Sequence, residues 1–242
     1  MDTEKHLSGA PDSTQLEKHE TDFAQLYQSE REKRRELELV KNELGEAYLD
    51  TIHRLARAAE YKDDETLGHI MRMSRYSAML AQKLGMSDKE VQDILYAAPM
   101  HDVGKVGIPD SILMKPGRLT PEEFEIIKTH TVIGANLLAY SKSEILKLAE
   151  EIALFHHEKW NGKGYPQGLS GEKIPLSARI VGLADVFDAL TSKRPYREPY
   201  PITDSIDIIA RSRGEDFDPK VVDVLLRHMD EVLKIKEEVD AA

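Results

Sequence analysis

The sequence predicts an all-α protein, and three observations support that fold class. Apolar residues recur at intervals of three and four along most of the 242-residue chain, which is the period of an amphipathic helix. Ser and Thr, which favour helix starts, stand directly before several of these segments. Stretches of alternating apolar and polar residues, which are typical of half-buried strands, are scarce. Hydrophobic residues make up 40% of the chain, enough for a buried core.

The first long element follows a short polar terminus. Residues 1–13 carry Gly9 and Pro11 without apolar periodicity and predict a flexible terminus. Residues 14–61 contain no Pro and only one Gly, Gly45, and their apolar residues recur at helical intervals. This pattern predicts one long, charged, amphipathic helix. At roughly 1.5 Å per residue, the helix would extend about 70 Å.

Two interpretations of this helix stay open. The helix cannot bury its apolar stripe alone, which favours a parallel coiled coil that makes the protein a homodimer. The alternative is a helix that folds back on its own domain. The apolar positions follow a seven-residue repeat only irregularly, so they do not decide between the two interpretations. The stripe consists of Phe23, Leu26, Leu37, Val40, Leu44, Ala47 and Leu55.

Residues 62–242 predict a compact helical domain. Ser87 and Thr120 are suited to cap helices, and Pro121 followed by two acidic residues is typical of a first helical turn. The irregular stretch 159–176 has four Gly and two Pro and predicts an ordered loop. The helices are expected over residues 65–84, 87–100, 121–130, 131–140, 143–155, 177–190, 203–213 and 219–236.

Composition restricts the chemistry that is open to the chain. The sequence has no Cys, which excludes disulfides, thiolate metal sites and cysteine nucleophiles. A metal site must therefore use His, Asp, Glu and water, which suits iron, manganese, magnesium or zinc. The net charge of -11 argues against a binder of nucleic-acid polymers. No apolar run approaches the roughly 18 residues of a membrane span and the polar N-terminus lacks the pattern of a signal peptide, so we expect a cytoplasmic protein.

Adjacent or regularly spaced His and carboxylate residues are candidate metal ligands. His101 and Asp102 stand at a predicted helix end, where an imidazole can fix one cation while a carboxylate bridges two. Glu65 and His69 are four residues apart on one helix face, so both can bind the same metal cluster. Each pair alone is common on protein surfaces. Their combination is what indicates a metal site.

Further candidates lie at later helix ends. His130 ends the helix predicted from Pro121, and His156 and His157 follow another predicted helix. Asp185 stands among apolar residues of a helix, where burial of a carboxylate requires a strong partner. A lone Asp of this kind can also be a satisfied core residue.

These residues belong to motifs that together resemble the HD-GYP group of the HD phosphohydrolase superfamily. The resemblance covers roughly residues 47–225 and implies an all-helical HD-GYP bundle. Asn161 and Asp216 depart from the residues that the family commonly has there. The resemblance is carried by His69, His101-Asp102-Val103-Gly104-Lys105, His130, His156-His157-Glu158, Asn161-Gly162-Lys163-Gly164-Tyr165-Pro166, Ala184-Asp185-Val186-Phe187-Asp188-Ala189-Leu190-Thr191-Ser192 and Arg194-Pro195-Tyr196-Arg197.

The resemblance also implies a metal centre with two or three divalent ions, iron or manganese. Glu65 matches the extra carboxylate of members that hold three ions. We expect Asp102 to bridge two ions and a hydroxide between them to attack phosphorus. The implied ligands are Glu65, His69, His101, Asp102, His130, His156, His157 and Asp185.

Four residues are predicted to contact the substrate. The resemblance suggests that Lys105 neutralises a phosphate oxygen as negative charge builds. Arg194 and Arg197 are expected to hold a second phosphate or a guanine edge, because a guanidinium offers two parallel donors. Tyr165 either stacks on a base or hydrogen-bonds the ligand, or it only pins its loop.

The sequence is compatible with three functions. The first is a metal-dependent phosphodiesterase that hydrolyses cyclic di-GMP to linear pGpG or, in a further step, to GMP. The second is the same chemistry on another cyclic dinucleotide or nucleotide. The third is an inactive module that signals through the long helix, which the complete set of ligands disfavours. Because the long helix ends just before Glu65 and His69, movement of a dimer is expected to be felt at the metal ligands.

Overall fold

The computed structural model describes residues 13–60, 67–193 and 198–241. The chain forms two compact units, Met1–Tyr48 and Leu49–Ala242. Every regular element in the described ranges is a helix, and the only bridges seen there are the isolated pairs Asn161 with Ser170 and Arg213 with Phe217. The predicted all-α class is therefore confirmed. The predicted domain limits at residues 13 and 61 stay a prediction.

Helix α1 (Ser13–Glu60) provides the described part of the first unit and continues into the second. Its limits agree with the predicted helix within one residue. In the first unit its apolar side chains are exposed, with Phe23 at 70% and Leu44 at 69% of their surface. In the second unit, Ile52 and Ala56 are buried one turn apart. The exposed stripe is what a coiled coil requires, and the coiled coil stays a prediction.

The second unit is built from the end of α1 and ten further α-helices in the described ranges. Short 3-10 turns at Ala98–Met100, Val103–Gly107 and Gly171–Lys173 connect some of them. The helices are α2 (Leu67–Lys83), α3 (Asp88–Ala97), α4 (Asp110–Leu113), α5 (Pro121–Lys128), α6 (His130–Leu138), α7 (Glu144–Phe155), α8 (Leu176–Thr191), α9 (Ile202–Arg211), α10 (Pro219–Arg227) and α11 (Met229–Asp240).

Two helix starts follow the capping chemistry that the sequence predicts. Ser87 accepts a hydrogen bond from the backbone of Glu90, and the Glu90 carboxylate accepts one from the backbone of Ser87. Thr120 and Glu123 form the same reciprocal pair at the start of α5. Such capping boxes satisfy two of the backbone donors that a helix start leaves without partners.

Four helices form the core that carries the site. Helix α2 packs against α3 and α8, while α7 packs against α3 and α8 and supports α6. The rings of Tyr76 on α2 and Phe187 on α8 meet edge to face with centroids 5.7 Å apart, and both are fully buried. Aromatic pairs of this geometry add to the stability that burial itself gives. Polar residues on α2 and α8 are thereby held in fixed positions facing each other.

The predicted helix over residues 219–236 is wrong as one element. The backbone at His228 leaves the helical region, with φ -114° and ψ 31°, and separates α10 from α11. Val222 and Leu225 are buried before the break and Val232 and Ile235 after it. The apolar period therefore continues across the break in the helix, and no Gly or Pro marks the break in the sequence.

Two other predicted helix ends are also corrected. His130 does not end the helix that starts at Pro121, because that helix ends at Lys128 and His130 is the first residue of α6. The Thr129 hydroxyl donates to the carbonyl of Ile126 at 2.6 Å, a local bond that competes with helix continuation. The helix predicted over 87–100 finishes as a 3-10 turn at Ala98–Met100, where Pro99 lacks a backbone donor.

Candidate metal centre

Seven of the eight predicted metal ligands converge in the second unit as two adjacent groups. In each group the ligand atoms lie within 4.8 Å of one another. Glu65, the eighth, lies outside the described residues. The first ligand group consists of Asp102, His130, His156 and His157. The second ligand group consists of His69, His101 and Asp185.

These residues come from helix ends and helix faces that the core brings together. His69 lies on α2 and Asp185 on α8, the two helices that face each other. The other five stand at or beside helix ends, where a side chain can point along the axis past the last turn. His101 and Asp102 link two 3-10 turns, His130 starts α6, and His156 and His157 directly follow α7.

A close backbone contact fixes the His101-Asp102 turn against α6. A Cβ atom built on Gly104 would lie 1.9 Å from the carbonyl oxygen of His130 and 2.4 Å from the backbone nitrogen of Gly134. Only glycine permits this approach. The glycine at position 104 of the motif is therefore explained by the structure, because it allows the close approach that sets the distance between Asp102 and His130.

Asp102 lies between the two ligand groups. Its Oδ1 lies 3.1 Å from His130 Nε2 and 3.4 Å from His156 Nε2. Its Oδ2 lies 3.3 Å from His101 Nε2 and 2.7 Å from Lys105 Nζ. Burial opposes ionisation, but Lys105 and His101 outweigh it and hold the pKa of the carboxyl well below its usual range. The carboxylate is thus charged and offers one oxygen to each group.

Main-chain carbonyls orient three of the imidazoles. His130 Nδ1 lies 2.7 Å from the Ile127 carbonyl, and His101 Nδ1 lies 3.1 Å from that of Ala98. His156 Nδ1 lies 3.0 Å from the carbonyl of Ile152. A carbonyl only accepts, so each Nδ1 carries a proton and each ring turns its Nε2 toward the centre.

The donor atoms fit a divalent cation. Among the described residues, the buried Nε2 atoms of His130 and His156 and Oδ1 of Asp102 have no hydrogen-bond partner. Burial lowers the pKa of His156 and, more strongly, of His157, so both rings are neutral and able to donate electron pairs. Buried polar atoms without partners are costly, and a metal ion would satisfy all of these at once.

The second ligand group contains a contact that the sequence analysis missed. His69 Nδ1 lies 2.9 Å from Oδ2 of Asp188, which is fully buried on α8. Arg72 donates to the same carboxylate at 2.6 and 3.0 Å. Burial disfavours the charge on Asp188, but the hydrogen bonds from His69 and Arg72 prevail and lower its pKa. The anionic Asp188 therefore orients His69 in the way that outer-sphere carboxylates orient metal-binding histidines.

A sequence signal for this contact existed. Asp188 lies three residues after Asp185 on the same apolar helix, and Arg72 lies three residues after His69 on α2. Residues three apart share a helix face. Two facing helices with this spacing can therefore place His69 and Asp185 at the metal centre, with Arg72 and Asp188 just behind them.

The structure describes two of the four predicted substrate-binding residues. Lys105 lies beside Asp102, and the Tyr165 ring lies 4.8 Å from the His157 ring at a 33° tilt. Burial raises the pKa of the Tyr165 hydroxyl, which therefore stays protonated. Arg194 and Arg197 lie outside the described residues.

The loop that carries Tyr165 is held by backbone contacts. The nitrogen of Tyr165 donates to the carbonyl of His157 at 3.3 Å, and that of Trp160 donates to the carbonyl of Asp216 at 3.0 Å. A Cβ atom on Gly164 would lie 2.3 Å from the nitrogen of Lys159. The predicted ordered loop is therefore confirmed.

In the described ranges, no helix is long and apolar enough to cross a membrane.

Comparisons with known proteins agree with this architecture. The HD domain family model matches residues 53–221. The cyclic di-GMP phosphodiesterase response regulator RpfG of Xanthomonas campestris is 48% identical over 206 residues, 83% of this chain and 54% of its own length. A cyclic di-GMP phosphodiesterase of Thermotoga maritima is 49% identical over 73% of this chain and 48% of its own length. The chain thus spans about half the length of these curated relatives.

Relatives named for a second cyclic dinucleotide also match. The 3'3'-cGAMP-specific phosphodiesterase 2 of Vibrio cholerae is 43% identical over 80% of this chain and 37% of its own length. Among solved structures, the cyclic GMP-AMP-specific phosphodiesterase V-cGAP3 of V. cholerae matches with a TM-score of 0.57 at 21% identity, over 78% of this chain and 52% of that one. Bd1817, an HDG"Y"P protein from Bdellovibrio bacteriovorus, matches with a TM-score of 0.56 at 23% identity, over 80% of this chain and 63% of its own.

The likeness to the solved structures supports the helical fold, and the family match supports common ancestry with HD domain proteins. The match to the HD domain model covers the converged ligands from His69 to Asp185. The resemblance seen in the sequence motifs is confirmed. The chain belongs to the HD domain family.

Proposed function

We propose that the chain is a metal-dependent phosphodiesterase that hydrolyses cyclic di-GMP to linear pGpG and further to GMP. The observation that carries the proposal is the position of Asp102 between two adjacent ligand groups. Paired sites that share a carboxylate are typical of enzymes that cleave phosphate esters. Relatives at 48% and 49% identity that are named for cyclic di-GMP hydrolysis support the choice of substrate.

We assign one ion to each ligand group, which gives two ions, and three if Glu65 supplies the extra carboxylate that the family resemblance implies. His and carboxylate ligands without Cys suit iron or manganese. When bound, such ions lower the pKa of a coordinated water and draw charge from a phosphate oxygen. The roles of His69, His101, His130, His156, His157 and Asp185 follow as ligands, with Asp102 shared between the two groups.

Lys105 is the residue that we assign to the reacting phosphate. Its Nζ lies at the centre beside Asp102, and its side chain is 13% exposed. In such a poorly hydrated place a positive charge acts strongly on the negative charge that develops on phosphate oxygens. We assign Arg194 and Arg197 to the second phosphate or a guanine edge, and Tyr165 to the wall of the substrate site.

A second substrate has specific support. The relative named for 3'3'-cGAMP is 43% identical over 194 residues. The two dinucleotides share the phosphodiester ring and differ in one base, so a centre that binds the phosphates can serve both. A signalling module without activity is a weaker candidate, because none of the predicted ligands in the described ranges is missing from the cluster.

We also propose that the exposed stripe of α1 forms a homodimer by a parallel coiled coil. Phe23, Leu37 and Leu44 are each at least 69% exposed, and a second copy of the stripe would cover them. Light scattering on the chain and on its L37K/L44K double variant tests this. We expect a dimer that becomes a monomer, and a monomeric parent chain contradicts the proposal.

The direct test of the activity is product analysis on metal-loaded protein. We expect hydrolysis of cyclic di-GMP to pGpG and GMP, and a slower or equal reaction with 3'3'-cGAMP. His101→Ala in parallel is expected to abolish both reactions. A parent chain that releases no product from either substrate, with iron or manganese bound, would refute the proposed function.

A further inference from the structure

Two aromatic rings connect the metal centre to the surface without belonging to either ligand group. The Tyr165 ring lies 4.8 Å from the ring of His157, as described above. Phe124 on α5 meets Tyr165 nearly edge to face, with centroids 6.3 Å apart and an angle of 82°. Lys128, one turn after Phe124, lies against both rings. We call Phe124, Lys128 and Tyr165 the aromatic ridge.

Phe124 is the outer member of the aromatic ridge and has 44% of its surface exposed. Single exposed apolar side chains are common on proteins, so exposure alone decides nothing. What distinguishes Phe124 is that its ring contacts a residue that itself contacts a metal-ligand candidate. The exposed part of the Phe124 ring is therefore linked to the metal centre through Tyr165.

Lys128 supplies positive charge to the aromatic ridge. Its Nζ lies 5.1 Å from the centroid of Phe124 and 5.7 Å from that of Tyr165, within the range of cation–π contacts. Its ion-pair partner Glu125 is 68% exposed and 2.6 Å away. Such surface pairs are weak, so Lys128 can turn to an anionic ligand at little cost.

We propose that the aromatic ridge is a subsite for one purine base of the substrate, in which Phe124 stacks on the base and Lys128 contacts the adjoining phosphate. The inference rests on the proposed function, because it takes a cyclic purine dinucleotide as the ligand. Aromatic side chains stack on any base, whereas a positive side chain beside them selects the charged backbone. The subsite therefore accepts a purine base without separating guanine from adenine.

The test compares three variants of the full metal-loaded chain. Phe124→Leu keeps an apolar side chain but removes the flat ring, and Phe124→Trp keeps a ring. Ile126→Ala is the matched control, because Ile126 is 39% exposed on the same helix but points to another face. The readouts are kcat and KM for cyclic di-GMP, bound metal per chain, and inhibition by inorganic phosphate, which has no ring to stack.

We expect Phe124→Leu to lower kcat/KM roughly five- to hundredfold, mainly through KM, as is typical for loss of one stacked base. Bound metal and phosphate inhibition stay unchanged, Phe124→Trp stays within about twofold of the parent chain, and Ile126→Ala has no effect. Equal activity of the Leu variant and the parent chain overturns the subsite. So does an equal loss in the Leu and Trp variants, or a loss that accompanies loss of metal.

Failure of the proposed function has a different signature. A parent chain that turns over neither cyclic di-GMP nor 3'3'-cGAMP contradicts the activity. Equilibrium binding of cyclic di-GMP to the parent chain and to Phe124→Leu then decides the subsite. Weaker binding by the Leu variant supports the aromatic ridge, and equal binding or none overturns it.

Discussion

The two ligand groups differ in what holds their histidines. In the first group, carbonyls of the main chain orient His130 and His156. In the second group, His101 is oriented in the same way, but His69 depends on the buried side chain of Asp188. The first group is therefore built from backbone geometry at helix ends, whereas the second combines one such histidine with two side chains on facing helices.

Because of this difference, substitutions far from the metal centre are expected to affect the two groups unequally. Arg72, which supports Asp188, also donates to Asp240 on α11 at 2.8 Å. A chain of contacts thus runs from the last helix through Arg72 and Asp188 to His69. Among the described residues, His130 and His156 show no comparable side-chain support at Nδ1. The second group is the one that distant substitutions should reach.

The largest effect is expected where the two groups meet. Asp102→Asn removes the charge that both groups share, so both metal sites should weaken together. The loss of activity should exceed the roughly hundredfold that is typical for outer-sphere partners. Metal analysis and kcat on cyclic di-GMP measure it. A variant that keeps the metal content of the parent chain would show that Asp102 does not join the groups.

The second largest effect tests the backbone support of the first group. Gly104→Ala puts a methyl group against the carbonyl of His130, so we expect the free energy of unfolding to fall by about 3 kcal/mol and activity to fall with it. The matched control is Gly107→Ala in the same turn, which meets only the movable side chain of Ile133. Thermal unfolding of both variants measures the difference. Equal destabilisation would contradict the importance of this backbone contact.

A smaller effect is expected from the side-chain support of the second group. Asp188→Asn weakens the hydrogen bond to His69 and removes the charge that Arg72 faces, so metal affinity or activity should fall roughly 10- to 100-fold. The loss should concern about one ion per chain, because the first group keeps its own support. Ser192→Ala, which removes a neutral hydroxyl from the same network, is the control and should change little. If Asp188→Asn released every ion, the two groups would not be separately supported.

The smallest effect is expected at the far end of that network. Asp240→Asn leaves Arg72 its two bonds to Asp188 and removes a partly exposed negative charge that pairs with Arg72 and Lys236. We expect a loss of stability of about 0.5 kcal/mol and a change in kcat below about threefold. Chemical denaturation and steady-state kinetics measure both. A tenfold loss of activity would mean that the last helix controls His69 more tightly than the contacts indicate.

The sequence predicted much of this molecule because its signals are local. The capping residues Ser87 and Thr120 act within one helical turn, and α1 lacks any residue that ends a helix early. The break at His228 escaped prediction because the apolar period runs through it. Periodicity reports which side of a helix is buried and not whether the next turn keeps the same axis.

The ligands could be named from the sequence, but their support could not. Motif resemblance assigned His69 and Asp185, although 116 positions separate them. Asp188 belongs to one of the motifs that carry the family resemblance, but the sequence does not predict its role, because its partner His69 lies on another helix and no local pattern links the two. The predicted Arg194 and Arg197 contacts, which lie outside the described residues, stay predictions. Long-range side-chain pairing is the part that the sequence alone does not give.

Metal content per chain, measured on protein purified without chelator and compared between the parent chain and Asp188→Asn, tests the central claim most directly. Two separately supported groups that share Asp102 predict at least two tightly bound ions in the parent chain and about one fewer in the variant. Fewer than one ion in the parent chain would contradict the metal centre itself.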